Sequence, residues 1–426
     1  MDHSAPEHSD EDESLSSQLL ALLTRSRDSV PNSDVRGQSN VIGVIILLGF
    51  LLATIGAAQV QLAPQVQTNT EFQHASSVIS DMAGVQANTV EVASSGVRRS
   101  TTLKMGASYP RYLILNHPPS PQGTLVTSEP RTLELRNAEA IRSETRDYYD
   151  GTTKTYEHER LRFVPQYNQF DSAGDTTLEQ GVLYEDFNNS TRIVATPNII
   201  NGNQINLVAV SGDIYQGSQN TKIVETVPLS ASDETTLVEG DGDQVQLRFE
   251  SDLTVDTWRD ILQSEIAVTG PDPNDDKYVE SITKDTSTGE IVISLESSGT
   301  YELNQAKLQY KLGEQASPSG SAYPEPEYLT TNQITNKTAR EGETIELVVQ
   351  ARDRYDNPVA NSVIEATATQ GTATTVDPVS RSNGKVTVLY SAPDSGAPIN
   401  DVVVVSYRDR SGDDKYRVQY QIQVQS

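Results

Sequence analysis

Five histidines, His3, His8, His74, His117 and His158, are the only imidazoles in 426 residues. None stands in an H-x-x-x-H or H-E-x-x-H spacing, which is how one helix face presents two ligands to a metal. The chain has no cysteine, which excludes disulfides, zinc–thiolate sites, iron–sulfur clusters and cysteine nucleophiles together. It also lacks a phosphate-cradling glycine loop, a G-x-G-x-x-G turn after a strand and a G-x-S-x-G elbow. Its 59 Asp and Glu make carboxylate pairs unavoidable, and their default place is a solvated surface. The expectation is a protein with no catalytic residues, no cofactor and no metal centre.

Two loops gather the hard oxygens that calcium takes: "EGDGDQ" with Asp241 and Asp243, and "PDPNDD" with Asp272, Asn274, Asp275 and Asp276. Neither has EF-hand spacing, so turn and surface charge is the better reading. Asn188-Asn189-Ser190, Asn189-Ser190-Thr191 and Asn336-Lys337-Thr338 are glycosylation sequons, making Asn188, Asn189 and Asn336 candidate modification sites.

The charge is lopsided: 32 Lys and Arg against those 59 acids leave −27. That sign repels phosphate backbones and excludes a nucleic-acid partner as the expectation. It suits a surface kept soluble at high salt, where screening shortens self-repulsion to a few Å. An acidic mesophilic surface protein is the alternative.

The element that decides where such residues sit is "VIGVIILLGFLLATIGAAQV", Val41 to Val60, which carries no charge. Twenty residues at about 1.5 Å each match the hydrocarbon core of a bilayer. Arg25, Arg27 and Arg36 lie before it, and the nearest charge after it is Glu71. The positive-inside rule then puts the N-terminus in the cytoplasm and everything beyond the run outside. A secretory signal peptide cut within "TIGAAQV" and a buried soluble helix are the rivals. Gly49, Ala53 and Ala57 recur every four residues, a small-residue stripe that lets helices approach closely. Gly and Ala are also simply common in membrane spans.

Arg36-Gly37 followed by "QSNVIGVIILLG" resembles the class III signal of archaeal type IV pilins and pilin-like surface proteins, halophilic members in particular. The resemblance implies a prepilin peptidase as partner, cutting between Gly37 and Gln38, with Arg36, Gly37 and Gln38 as the processing site. The apolar helix would stay on the mature chain for the membrane or for other pilin subunits. Ile42 stands where bacterial pilins carry a glutamate, which points away from that branch. The chain is also much larger than a major archaeal pilin.

Beyond the run, a polar helix is expected to continue to about Ala93. Pro64 should kink it, and Phe72, Val78, Ile79, Met82 and Val85 should form its apolar side. Period-two stretches then read as strands, "TTLKMG", "RYLILN", "TLVTSE", "RTLELRN", "GVLYEDF", "TRIVATP", "QINLVAVSG" and "TKIVETV" among them. One helix interrupts them near Thr254–Glu265, with Thr254 as N-cap and Trp258, Ile261 and Leu262 buried.

Residues 314–331, rich in Ser, Pro and Gly, read as a linker. The last segment has the length and strand pattern of an immunoglobulin sandwich. Its "DRYDNPVANSV" and "SNGKVTVLYSAPDSG" resemble bacterial Ig-like domains of the invasin/intimin type, with Asp356 where a glycine often sits. The fold class is therefore mainly β: an N-terminal transmembrane or assembly helix, a β-rich ectodomain and a C-terminal Ig-like sandwich. The division is 1–37 leader, 38–95 helix and its extension, 96–313 ectodomain of one or two parts, 314–331 linker and 332–426 sandwich. A non-enzymatic cell-surface protein in the membrane or a pilus follows, adhesive or assembly-related, with a surface protein or carbohydrate as ligand. A membrane-tethered Ig-like binding or spacer protein that enters no filament is the second reading.

Overall fold

The computed structural model describes residues 36–110, 119–267, 277–313, 315, 323–394, 396, 398–410 and 412–425, without the side chains of 36–40, 58, 59 and 61. The strand expected at "RYLILN" and the "PDPNDD" loop fall outside the described residues. The chain is mainly β, as its period-two patterning requires.

One helix runs from Arg36 to Ser95 through Pro64. Proline removes one backbone donor but does not end the helix here; the Pro64 carbonyl accepts the Thr68 hydroxyl at 2.9 Å. In the N-terminal length of the helix, Val41, Ile45, Leu47, Phe50 and Leu62 are all more than half exposed. By length and composition the helix is long and apolar enough to cross a membrane.

In the C-terminal length, buried residues recur as Gln67, Glu71, His74, Val78, Met82, Val85, Thr89 and Val92. Their three- and four-residue steps trace one face. Phe72, expected on that face, is 55% exposed and instead meets Phe170 edge-on at 5.7 Å. Glu71 takes the inward place because its carboxylate finds hydrogen-bond donors there.

The ectodomain is built on three sheets. A seven-stranded sheet runs in the order Arg99–Lys104, Thr221–Ser230, Tyr301–Leu312, Gln204–Gly212, Ile200–Asn201, with Thr236–Gly240 and Ala138–Ala140 extending it beside Tyr301–Leu312. Gln204–Gly212 and Tyr301–Leu312 are parallel, whereas their other neighbours are antiparallel. A six-stranded sheet contains Gln122–Thr127, Leu161–Gln166, Asp175–Glu179 and Val182–Asp186. A five-stranded sheet contains Arg131–Arg136, Gln246–Phe249 and Ile291–Leu295.

Two hydrophobic cores fill the spaces between these sheets. Val78, Met82, Val85 and Val92 of the helix join Leu125, Phe163, Val210, Leu308 and Tyr310 in one. Leu133, Leu207, Leu247, Phe249, Trp258, Ile293 and Leu303 form the other. The strand Tyr301–Leu312 belongs to both: Tyr301 and Leu303 serve one core and Ala306 to Leu312 the other. The region 96–313 therefore holds two cores threaded by shared strands. The short helix Val255–Ile261 is capped as expected, Thr257 N–H donating to Thr254 Oγ1 at 3.2 Å, and it buries Trp258.

The C-terminal part is a sandwich of two four-stranded sheets around Leu347, Val349, Val388, Tyr390, Val403, Val405 and Tyr420. One sheet has the order Pro326–Thr330, Thr344–Asp353, Lys385–Ser391, Thr372–Thr375; the other Asn336–Arg340, Arg417–Gln425, Ile399–Tyr407, Ile364–Ala368. Its first strand lies within the stretch read as linker, because Tyr328 and Leu329 supply alternate side chains to two different cores.

Candidate functional site

Two polar docks and one open cleft carry the chemistry of the ectodomain. The first dock is on the helix. Glu71 is fully buried, and its carboxylate accepts from three consecutive backbone N–H groups: Asn168 at 2.7 Å, Gln169 at 2.9 Å and Phe170 at 2.7 Å. The Tyr109 hydroxyl donates to it as well. Four donors stand in for the water the carboxylate lost.

One turn on, His74 faces the Lys104 carbonyl through Nε2 at 3.0 Å and the Tyr167 hydroxyl through Nδ1 at 2.7 Å. A carbonyl can only accept, so Nε2 carries the proton and Nδ1 is the acceptor. Burial pushes this imidazole below its usual range. His158, buried in the β-rich core, is pushed down to about 3 by the same cause and is also neutral.

The second dock joins the sandwich to the ectodomain. The turn Asp353–Pro358 inserts among Ser230, Ser232, Glu234, Gln305 and the tyrosines of the ectodomain. Asn357 Nδ2 donates to Ser230 Oγ at 2.9 Å and to the Gln305 carbonyl at 2.8 Å. Ser230 donates to Asp353 at 2.5 Å, and Ser232 donates to Asn357 Oδ1 at 2.6 Å. Arg352 is buried between Asp356 at 2.6 Å and Glu234 at 2.5 Å.

Asp356 holds φ 64°, the left-handed conformation that a glycine would adopt with less strain. It contributes what glycine cannot, a carboxylate that pairs with Arg352 and accepts from the Tyr328 hydroxyl. Tyr328 stacks on Tyr148 at 4.6 Å and 4°, and Tyr149 meets Tyr148 edge-on at 4.8 Å. Burial pushes the Asp353 carboxyl up to about 6. The sequence marks Asp356 and its turn but carries no signal for these partners.

Beside this dock lies a polar cleft of about 470 Å³. Asp147, Asp150, Thr153, Lys154 and Thr155 wall it on the ectodomain side; Glu327, Arg354, Asp413 and Lys415 wall it on the sandwich side. Lys154 pairs with Asp150 at 3.3 Å and sits 4.5 Å over the Tyr148 ring. Lys415 pairs with Glu327 at 2.9 Å. Arg354 lies 5.7 Å over the Tyr156 ring and donates to the Thr155 carbonyl. A smaller cavity of about 100 Å³ lies between Thr89 to Ser94 of the helix and Val208, Ala306 and Tyr310.

The residues singled out in the sequence are not brought together. Arg36, Gly37 and Gln38 begin the long helix. Gly49, Ala53 and Ala57 are exposed on it, and among the described residues nothing lies within 4 Å of a Cβ placed at Gly49. Asn188 and Asn189 are exposed in the turn after Val182–Asp186, and Asn336 is exposed at the start of an edge strand. Asp241 and Asp243 lie in the turn after Thr236–Gly240, where Asp241 N–H donates to the Asn137 carbonyl at 3.1 Å. Among the described residues no three His, Asp or Glu side chains form a metal-ligand set.

No protein-family description matches the chain. An uncharacterized protein of Archaeoglobus fulgidus is 22% identical over 328 residues, 76% of this chain and 52% of the relative. The chain thus spans about half the length of the curated relative it matches. Similar solved structures include domains 4 and 5 of the S-layer protein SbsC, 11% identical over 32% of this chain and 65% of that chain, with a TM-score of 0.21. The D0–D1 domain of intimin is 12% identical over 44% of this chain and 93% of that one, with a TM-score of 0.20. Likenesses of this size leave the assignment of an Ig-like sandwich resting on the strand pairing described above.

Proposed function

We propose that this chain is a non-enzymatic, type IV pilin-like cell-surface protein that acts in adhesion or surface-structure assembly. Prepilin peptidase removes residues 1–37, cutting between Gly37 and Gln38. The helix from Val41 is retained, in the membrane or against the helices of other pilin subunits. The β-rich ectodomain and the Ig-like sandwich stand outside the cell, where they meet a surface protein or a carbohydrate. The acidic charge suits a halophilic archaeal surface.

The observation that carries this reading is the division of labour along Arg36–Ser95. One length is apolar and exposed, while the other supplies Val78, Met82, Val85 and Val92 to an ectodomain core. A signal peptide discarded after the run would leave the second length in place, so the processing point is the test.

Mass spectrometry of the protein from its native membrane is expected to give a mature N-terminus at Gln38. A start near Met1 would make it a tethered Ig-like binding or spacer protein outside any filament. A start beyond about Ala58 would make it a released protein, and either result overturns the pilin-like reading.

A further inference from the structure

The surface reading leaves open where a ligand would sit. We propose that the cleft beside the sandwich dock, walled by Asp147, Thr153 and Lys154 on one side and Glu327, Arg354 and Lys415 on the other, binds a neutral sugar unit of a glycan. This inference rests on the adhesive reading above and names the site and ligand class for it.

Size comes first. About 470 Å³ falls within the roughly 300–1,000 Å³ of small-molecule sites. The walls are also held in place before any ligand arrives. Both domains contribute to the cleft, and the Tyr148–Tyr328 stack and the Asn357 hydrogen bonds beside it fix one domain against the other. Lys154 and Lys415 are each held by a carboxylate and Arg354 by the Thr155 carbonyl, so little side-chain freedom remains to be lost on binding.

Charge then selects the class. Four carboxylates and three cations line the cleft, so neither a cation nor an anion meets a strong field. The lining does offer interleaved donors and acceptors. A sugar hydroxyl both donates and accepts, so a ring of them matches carboxylates set beside ammonium and guanidinium groups. The tyrosine faces are already covered, Tyr148 by Tyr328 and Lys154 and Tyr156 by Arg354. Recognition therefore falls to hydrogen bonds at the sugar edge.

The test is saturation-transfer NMR on the full-length protein in detergent. Glucose, galactose, mannose and N-acetylglucosamine are the probes, with glucuronate and galacturonate as their anionic counterparts. At least one neutral sugar is expected to bind. Thr153→Trp, which fills the cleft from an exposed position, should weaken that binding at least tenfold. Asp147→Asn, which keeps the side-chain shape but removes charged acceptor oxygens, should weaken it severalfold with an unchanged unfolding midpoint.

Silence from all four neutral sugars, binding of the uronates alone, or binding untouched by Thr153→Trp overturns the proposal. A chain that starts at Gln38 yet binds no neutral sugar sinks the cleft and spares the pilin-like reading. A chain that starts near Met1 and still binds the sugar sinks the pilin-like reading and spares the cleft.

Discussion

Both docks of the ectodomain bury carboxylates, but they compensate the charge differently. At the helix, no cation among the described residues pairs with Glu71; three backbone N–H groups and the Tyr109 hydroxyl donate to it. At the sandwich, Asp356 is matched by Arg352, which also reaches Glu234 across the joint. Backbone donors are fixed by the fold and cannot turn away. A guanidinium is mobile until packed, but it supplies a full charge. The helix dock therefore depends on one loop keeping its shape, and the sandwich dock depends on one side chain.

The largest effect should come from removing that side chain. Arg352→Ala leaves Asp356 buried at 2% exposure without its cation, which costs about 3–5 kcal/mol. Chemical denaturation should show the sandwich releasing from the ectodomain before global unfolding. A single cooperative transition at an unchanged midpoint would mean that the charge pair does not hold the joint.

Glu71→Ala should rank next. It strands three backbone donors and a tyrosine hydroxyl at a cost of about 3 kcal/mol. Hydrogen exchange at Asn168, Gln169 and Phe170 should speed up first. Glu71→Gln keeps one acceptor oxygen and should lose less.

A third effect has opposite signs in the two docks. Asp353 is raised to about 6 in the folded protein, so the native state holds a proton that the unfolded chain has lost between about pH 4 and 6. Its contribution falls as pH rises through that window, by on the order of 2 kcal/mol. On the sandwich side the Asp356 carboxylate adds to the rise, while the Tyr355 and Asn357 N–H groups and, from the ectodomain, the Ser230 hydroxyl donate to Asp353 and oppose it.

His74 is lowered, so the unfolded chain takes up a proton below about pH 6.5 that the native dock resists. Its contribution is full above that pH and falls as pH drops. His158 adds a slope of the same sign. Asp353→Asn should flatten the first slope and His74→Gln the second, read as unfolding midpoints from pH 4 to 8. Identical profiles for both variants and the parent would break the contrast.

Local pattern made much of the fold legible. Val78, Met82 and Val85 sit where helical spacing placed them, and Thr254 caps the helix that buries Trp258. The docks were not legible, because their partners are far apart in sequence. Glu71 meets Asn168 across 97 residues, and Asn357 meets Ser230 across 127. Read alone, a glutamate on a helix looks solvated, and Phe72 beside it looks like core. The structure exchanges their places because a carboxylate with four donors is content inside. Asp356 was visible as a departure from glycine at a turn, but its pairing with Arg352 and Tyr328 depends on the sandwich already being docked.

The smallest prediction separates hydrogen bonding from packing at the helix dock. The hydroxyls of Thr89 and Tyr310 lie 2.7 Å apart, both residues are buried, and Thr89 Oγ1 also reaches the Val85 carbonyl at 2.8 Å. Because that carbonyl takes the threonine proton, the tyrosine donates to Thr89. Thr89→Val keeps the shape and strands the tyrosine hydroxyl, at about 1 kcal/mol. Tyr310→Phe on top of it removes the stranded group, and the pair of apolar side chains should restore part of the loss. A double variant weaker than the sum of the two single changes would show that the hydroxyl pair is not what Thr89 contributes, and that the helix is held there by shape alone.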